Sequence, residues 1–214
     1  MSLDFAALRK EYTKAELTIE SVNREPLAQF LAWLDEALAS NVNEPTAMVL
    51  ATCSALGRPS SRVVLLKGID EEGFVWYTNY LSRKGAELDV NPHASLLFFW
   101  PELERQVRIE GIVAKVTQEQ STEYFHSRPF DSQVGAAASP QSQVVPSREF
   151  LEDLFTLTHA AATKAQRVEK PPHWGGYKLV PTTIEFWQGR PSRMNDRIRY
   201  HKEEDLWVIE RLAP

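Results

Sequence analysis

The chain holds a single cysteine, Cys53, among 214 residues, so it can form neither an internal disulfide nor a structural zinc site of thiolates. Cys53 lies in the apolar run Met48–Cys53 and is expected as a buried small hydrophobe. Glycine is scarce, at nine residues, and none falls in G-x-G-x-x-G or G-x-x-x-x-G-K-[ST], which argues against a dinucleotide fold and a P-loop. Histidine is scarcer still, with five scattered copies, and there is no H-E-x-x-H or G-x-S-x-G. His201-Lys202-Glu203 has the H-x-E of a deaminase without its P-C-x-x-C. An enzyme with this inventory would rely on a bound organic cofactor. Excess positive charge is also missing: 24 Lys and Arg stand against 29 Asp and Glu, a net −5, which speaks against a surface built for nucleic acid or an anionic membrane. No stretch approaches 18 apolar residues, and the start MSLDFAALRKEY lacks a signal-peptide core, so a cytoplasmic protein with no membrane partner is expected.

What remains is ordinary globular composition, 43% hydrophobic and 25% charged. Residues 1–20 read as a short helix and an arm, and 21–214 as one domain without repeats or a low-complexity tract. Leu27, Phe30, Leu31, Leu34 and Leu38 recur at helical spacing behind a candidate N-cap, Asn23. The period then changes. Met48–Cys53, Arg62–Lys67, Phe74–Thr78, Ser95–Trp100 and Gln106–Val116 are short, rich in β-branched and aromatic residues, and separated by turn signals. In the last of them Val107, Ile109, Gly111 and Val113 share a face. Helices are expected again at Gln118–Ser127 and Arg148–Ala165, then strands at Tyr177–Val180, Thr183–Trp187, Ile198–His201 and Leu206–Ile209. The fold class is α+β, mainly antiparallel, with meander pairing closed or nearly closed into a barrel and flanked by helices.

Four constellations carry chemistry. Ser82 reads as the N-cap of a helix to about Val90, which puts Arg83 and Lys84 in its first turn. The helix dipole disfavours each cation there by up to about 1 kcal/mol. A bound phosphate would reverse that sign, and extension of both side chains into water would merely evade it. Arg62 and Lys67 bracket an apolar strand, and strand period places them on opposite faces. A central strand with solvated ends is the simpler explanation; a shared ligand would need a bulge between them, or two separate jobs. Tyr124 and Arg128 are four apart on one helical face, Pro129 ends that helix, and Arg128 comes to a helix end near Ser132, where it can grip an anion or serve as an ordinary terminal charge. Finally, Glu185 to Arg197 packs Phe186, Trp187, a turn, and Arg190, Arg193 and Arg197 together, which suits a planar or phosphorylated ligand or else a surface hairpin in which Asp196 pairs with an arginine.

Taken in order, these segments resemble the pyridoxine 5′-phosphate oxidase family. The resemblance runs from Leu8-Arg9-Lys10-Glu11-Tyr12 to Arg211-Leu212-Ala213-Pro214. It includes Glu44 to Met48, Arg62 to Lys67, Tyr77-Thr78-Asn79, Ser82-Arg83-Lys84, Leu103 to Val107, Tyr124 to Pro129, Gln141-Ser142, Trp174-Gly175-Gly176 and Glu185 to Gly189. It implies an FMN-binding split β-barrel, a homodimer with flavin at the interface, and oxidation of pyridoxine or pyridoxamine 5′-phosphate to pyridoxal 5′-phosphate. Hydride would leave the substrate's 4′ carbon for flavin N5, and dioxygen would reoxidise the flavin to give hydrogen peroxide. Carried over by position, FMN would be held by Arg62, Val63, Lys67, Tyr77, Thr78, Arg83, Lys84, Gln106, Gln141, Ser142, Trp187 and Arg197. The substrate phosphate would meet Lys67, Tyr124, Arg128 and Ser132. Arg193 and Arg197 would be the catalytic pair, Asn195 would touch substrate, and Arg9 with Tyr12 would form a lid. No metal is implied. One departure stands out: many members read Arg-Leu-His-Asp-Arg where this chain reads Arg193-Met194-Asn195-Asp196-Arg197, and an amide cannot serve as acid or base near neutral pH. Two rivals remain: a flavin reductase fed by a nicotinamide cofactor, and a non-catalytic carrier of FMN or pyridoxal phosphate.

Overall fold

The structure is a computed structural model and describes residues 11–214. Arg9 and the first part of the expected arm lie outside the described residues. Residues 11–25 contain no helix, so the short helix expected in the first 20 residues is absent from the described part of the arm. Five α-helices and nine strands follow in the described residues: α1 Pro26–Ala39, β1 Ala47–Cys53, β2 Pro59–Leu65, β3 Gly68–Ile69, β4 Phe74–Asn79, α2 Arg83–Val90, β5 His93–Trp100, β6 Arg105–Lys115, α3 Gln118–Ser127, α4 Phe130–Ala138, α5 Arg148–Ala165, β7 Trp174–Gln188, β8 Asp196–Glu203 and β9 Leu206–Arg211. The strands hydrogen-bond in the order β2-β1-β5-β6-β7-β4-β3, with β8 pairing β7 and β9 pairing β8. The expected mainly antiparallel α+β class holds, but the order is not a simple meander, since β7 comes between β6 and β4. No helix among the described residues is long and apolar enough to cross a membrane.

The chain divides into two compact units, each built from separated segments. Unit one comprises the residues up to Leu50, Ser95–Gly111 and Pro181–Pro214. Helix α1 begins with Pro26, whose missing N–H costs nothing in a first turn. Its N-cap is Glu25 rather than Asn23; the backbone and side-chain N–H groups of Asn23 donate instead to Gln29 Oε1. The buried stripe Phe30, Trp33, Leu34 and Ala37 meets the aromatic residues of the sheet: Phe30 lies edge-on to Phe98 at 4.9 Å and Trp33 to Phe186 at 5.2 Å. Each such ring removes enough apolar surface from water to contribute about 2–3 kcal/mol. The alternation expected for β6 is observed, with Val107, Ile109, Gly111 and Val113 buried. The β7–β8 register pairs Trp187 with Arg197 and Glu185 with Arg199.

Unit two comprises Ala51–Ala94 and Ile112–Val180. Strand β4 pairs antiparallel with the first half of β7, setting Tyr77 opposite Gly176 and Thr78 opposite Gly175. Neither glycine has room for a side chain: a Cβ on Gly175 would stand 2.1 Å from the Tyr80 hydroxyl, and one on Gly176 2.6 Å from Val116 Cγ2. That close approach lets the Tyr80 hydroxyl donate to the Gly176 carbonyl. Helix α3 starts on a capping box, in which Thr117 Oγ1 accepts from Gln120 N–H and Gln120 Oε1 accepts from Thr117 N–H, an arrangement that contributes about 1 kcal/mol. Phe125, Val134, Ala162, Val168 and Trp174 form a second buried cluster, against which Tyr77, Tyr124 and Phe155 pack. Helices α3 and α5 have the bounds expected from their periodicity, while α4 was not anticipated. The two strands expected over residues 177–187 are one, since β7 runs without interruption through Pro181. Cys53 is half-buried, not buried, because strand alternation buries Met48, Leu50 and Thr52 and turns the odd positions the other way.

Candidate active site

A cavity of about 730 Å³ opens in unit two, lined by parts of β2, β4, α3, α4 and the segments around Lys67, Gln141 and Trp174. Ten of the residues singled out in the sequence share this wall: Arg62, Val63, Lys67, Tyr77, Thr78, Lys84, Tyr124, Arg128, Ser132 and Gln141. Arg62 and Lys67 reach the same cavity without a bulge. Strand β2 ends at Leu65, so Lys67 lies beyond the strand and the parity argument does not apply to it. Its N–H donates to the Val75 carbonyl as the chain turns.

The first cationic group sits at the start of α2. Ser82 is the N-cap and is fully buried, yet its hydroxyl caps nothing; it accepts from Lys84 Nζ at 3.1 Å. Lys84 Nζ also donates to Thr78 Oγ1 and to Gln141 Oε1, each at 3.1 Å. All three acceptors are neutral. Burial, reinforced by the nearby charge of Arg62, pulls the Lys84 ammonium down to about 8. Arg83 turns outward and its Nε donates to Glu87 Oε1 at 2.9 Å, one helical turn on. Glu87 itself is buried, and its other oxygen accepts from Ser60 at 2.6 Å, from Thr52, and from Arg62 Nη2 at 3.4 Å. Arg62 Nη1 donates to Thr52 Oγ1 at 2.6 Å, and burial lowers its pKa against the pull of Glu87. Burial alone would raise the Glu87 carboxyl, but hydrogen bonds from Ser60, Thr52 and Arg83, with the Arg83 charge, outweigh it and hold the group at about 2.

The second cationic group lies at the end of α3. Pro129 forces Arg128 into an extended conformation as the C-cap, as expected, and the guanidinium passes over the Trp174 ring at 5.0 Å. Its Nη1 is buried without a hydrogen-bond partner. Burial lowers the Arg128 pKa, with the neighbouring Tyr124 hydroxyl acting in the opposite sense. Tyr124 stacks on Tyr77 with centroids 3.8 Å apart, and Tyr77 stacks on Trp174 at 5.7 Å, so a flat aromatic column forms part of the wall. Burial pushes both tyrosine hydroxyls up in pKa, which keeps them neutral donors.

The remaining expected residues lie elsewhere. Arg83 and Ser142 do not line the cavity; Ser142 is exposed at φ 69°. Gln106, Trp187, Arg193, Asn195 and Arg197 belong to unit one. Arg197 forks onto Glu185, Nε to Oε1 at 2.9 Å and Nη2 to Oε2 at 3.0 Å, and Nη1 donates to the Ala213 carbonyl. That pairing raises its pKa. Tyr12 lies edge-on to Trp187 at 5.6 Å. Arg193 is exposed in a short 3₁₀ turn, and both it and Ser192 have positive φ, 59° and 56°. Asn195 braces this turn: Oδ1 accepts from Arg190 N–H at 3.0 Å and Nδ2 donates to the Arg193 carbonyl at 3.1 Å. Asp196 accepts from Arg211 at 2.6 Å and from the Leu17 N–H, so part of this arginine-rich segment is structural. Sequence reasoning missed Glu87, Thr52 and Ser60; the i,i+4 spacing of Arg83 and Glu87 was the available signal.

The family model described as pyridoxamine 5′-phosphate oxidase matches residues 34–160, which span every residue of the cavity wall but Trp174. The chain belongs to the pyridoxamine 5′-phosphate oxidase family. A second model, the pyridoxine 5′-phosphate oxidase C-terminal dimerisation region, matches residues 174–214. Curated relatives named pyridoxine/pyridoxamine 5′-phosphate oxidase include one from Salinibacter ruber, 53% identical over 98% of each chain. Another, from Actinobacillus succinogenes, is 55% identical over 97% of this chain and 98% of the relative. Among solved structures, PhzG from Burkholderia lata, in complex with tetrahydrophenazine-1-carboxylic acid, superposes with a TM-score of 0.88 at 30% identity, covering 94% of this chain and 100% of PhzG.

Proposed function

We propose that the chain is an FMN-dependent oxidase that converts pyridoxine 5′-phosphate or pyridoxamine 5′-phosphate to pyridoxal 5′-phosphate. The observation that carries this reading is one cavity lined by two separate cations, Lys84 and Arg128, that no carboxylate among the described residues meets. Lys84 is buried among neutral oxygens, and Arg128 keeps a buried Nη1 without a partner. Two phosphorylated ligands, cofactor and substrate, match two such groups. The family relationship supports the order in which they are assigned.

The residues present fit FMN. Lys84, Arg62 and Arg83 would hold its phosphate at the start of α2, where backbone N–H groups also favour an anion. Thr78 and Gln141, already hydrogen-bonded to each other at 3.0 Å, would add neutral contacts, with Val63, Lys67, Tyr77 and Ser142 nearby in the chain. Bound FMN supplies a hydride acceptor for the substrate's 4′ carbon, with dioxygen as final acceptor and hydrogen peroxide as product. Arg128, Tyr124, Ser132 and Lys67 would grip the substrate phosphate, a contact made equally before and during reaction, so it orients more than it accelerates. Gln106, Trp187, Arg193 and Arg197 would act across the interface of a homodimer, a reading supported by the dimerisation-region match. Arg193 would steady the substrate ring, and Tyr12, with Arg9, would close over it as a lid. Asn195 holds the Arg193 turn and moves no proton; the substrate's hydroxyl or amine proton would leave to water.

A nicotinamide-fed reductase leaves the group of Tyr124, Arg128 and Ser132 without a use, and turnover under air separates the oxidase from a non-catalytic carrier. The 53–55% full-length identity to oxidases, against 30% to PhzG, favours the phosphorylated vitamin over an aromatic acid of the kind seen with PhzG. The test is a visible spectrum of the full chain with FMN, free of oxygen, before and after pyridoxine 5′-phosphate is added. The flavin band should bleach, then return on admission of air with pyridoxal 5′-phosphate formed. A bound flavin that stays oxidised contradicts the oxidase, and failure to bind flavin contradicts the cofactor.

A further inference from the structure

Arg62, Arg83 and Lys84 crowd three positive charges around the start of α2, and they oppose one another: Arg83 depresses Arg62, and Arg62 depresses Lys84. Like charges of this kind favour separation. Glu87 bridges the two guanidinium groups. From a buried position one turn along α2 its carboxylate takes Arg83 on one oxygen and Arg62 on the other, so a single group fixes a helix residue and a strand residue together. The hydroxyls of Thr52 and Ser60 complete the ring; each donates to Glu87 and each accepts from Arg62. This network holds two arginines that lie on different elements, and one of them, Arg62, lines the cavity.

We propose that Glu87 is a positioning residue that sets Arg62 and Arg83 for the cofactor's phosphate, and so gives the site its preference for a phosphorylated flavin over an unphosphorylated one. The proposal rests on the FMN reading above. Glu87 touches no ligand itself; its effect passes through the two guanidinium groups, whose orientation is settled before binding rather than at the expense of binding.

The test is fluorescence titration of the flavin-free full chain with FMN and, separately, with riboflavin, for the wild type, Glu87→Gln and Glu87→Asp. The wild type should bind FMN far more tightly than riboflavin; equal affinities would overturn the FMN reading itself, a failure visible without any variant. Glu87→Gln should weaken FMN by roughly tenfold or more, the scale of one misaligned charge-assisted hydrogen bond, and leave riboflavin unchanged. Glu87→Asp keeps the charge but is one methylene short, so it should fall between the two, and it serves if Glu87→Gln does not fold. FMN affinity that is unchanged or improved in these variants overturns the proposal, because Glu87 would then only repel the phosphate. Equal losses for FMN and riboflavin also overturn it, because Glu87 would then support the cavity as a whole.

Discussion

Several cations of unit one and two cations on the cavity wall of unit two, Lys84 and Arg128, are partnered by different rules. In unit one Arg197 is forked by Glu185, Arg211 is held by Asp196, Arg199 by Glu210 and Arg105 by Glu36. On the cavity wall Lys84 meets only neutral oxygens in its hydrogen bonds, and Arg128 keeps an unpartnered buried nitrogen. The difference does not belong to unit two as such, since Lys178, away from that wall, is clasped by Asp70 and Glu72. Exposed ion pairs contribute at most about 1 kcal/mol, whereas a buried cation without a counter-ion costs several. A fold retains the second kind where a ligand's charge offsets the cost. Under-satisfied cations on a cavity wall therefore mark binding better than the number of arginines in a segment.

Glu87 is where the two rules meet, because it is a carboxylate placed among the cavity's cations, and it should give the largest effect. Its folded-state pKa, about 2, lies below the ordinary 4.5, so its contribution is fully present above pH 4.5 and is lost as pH falls through 2. That difference corresponds to about 3 kcal/mol. In denaturant unfolding between pH 5 and pH 2 the wild type should lose more stability than Glu87→Gln, by a margin of that order. Parallel losses would mean that Glu87 is not held by its partners as the geometry indicates.

Asn195 belongs to the paired region, and its effect should be smaller. Its amide is spent on Arg190 and Arg193, so Asn195→His should change kcat or KM by less than about tenfold, the cost of one neutral hydrogen bond. A hundredfold gain in kcat in steady-state assays would show that the position calls for an imidazole and that bracing is secondary.

Much of this could be read before the structure was in hand, and the failures have physical causes. Helices α3 and α5 have the bounds their periodicity predicts, and in the structure Thr117 and Ser147 cap their starts while Pro129 follows the end of α3. Helix α4, FDSQVGAAA, escaped because alanines and one glycine give no apolar period; its burial comes from packing Gln133 and Val134. Asn23 looked like a cap, but Pro26 starts α1 later, and Gln29 took the Asn23 donors instead. The pairing of β7 with both β6 and β4 is a long-range fact that no local pattern carries. At the site, the cations Arg83 and Lys84 were conspicuous at a helix start, and Arg128 at a helix end. What they lacked could not be read: whether a carboxylate stands beside a cation depends on tertiary neighbours, and it distinguishes Lys84 from Arg197.

The central claim is that one cavity holds two phosphates on separate cations. Calorimetric titration of the full chain, with FMN first and then with pyridoxal 5′-phosphate, tests it in Lys84→Gln and Arg128→Gln. Lys84→Gln should weaken FMN by roughly ten- to hundredfold and leave pyridoxal 5′-phosphate affinity at saturating FMN unchanged; Arg128→Gln should do the reverse. Loss of both ligands in both variants, or loss of FMN in Arg128→Gln alone, would contradict the account.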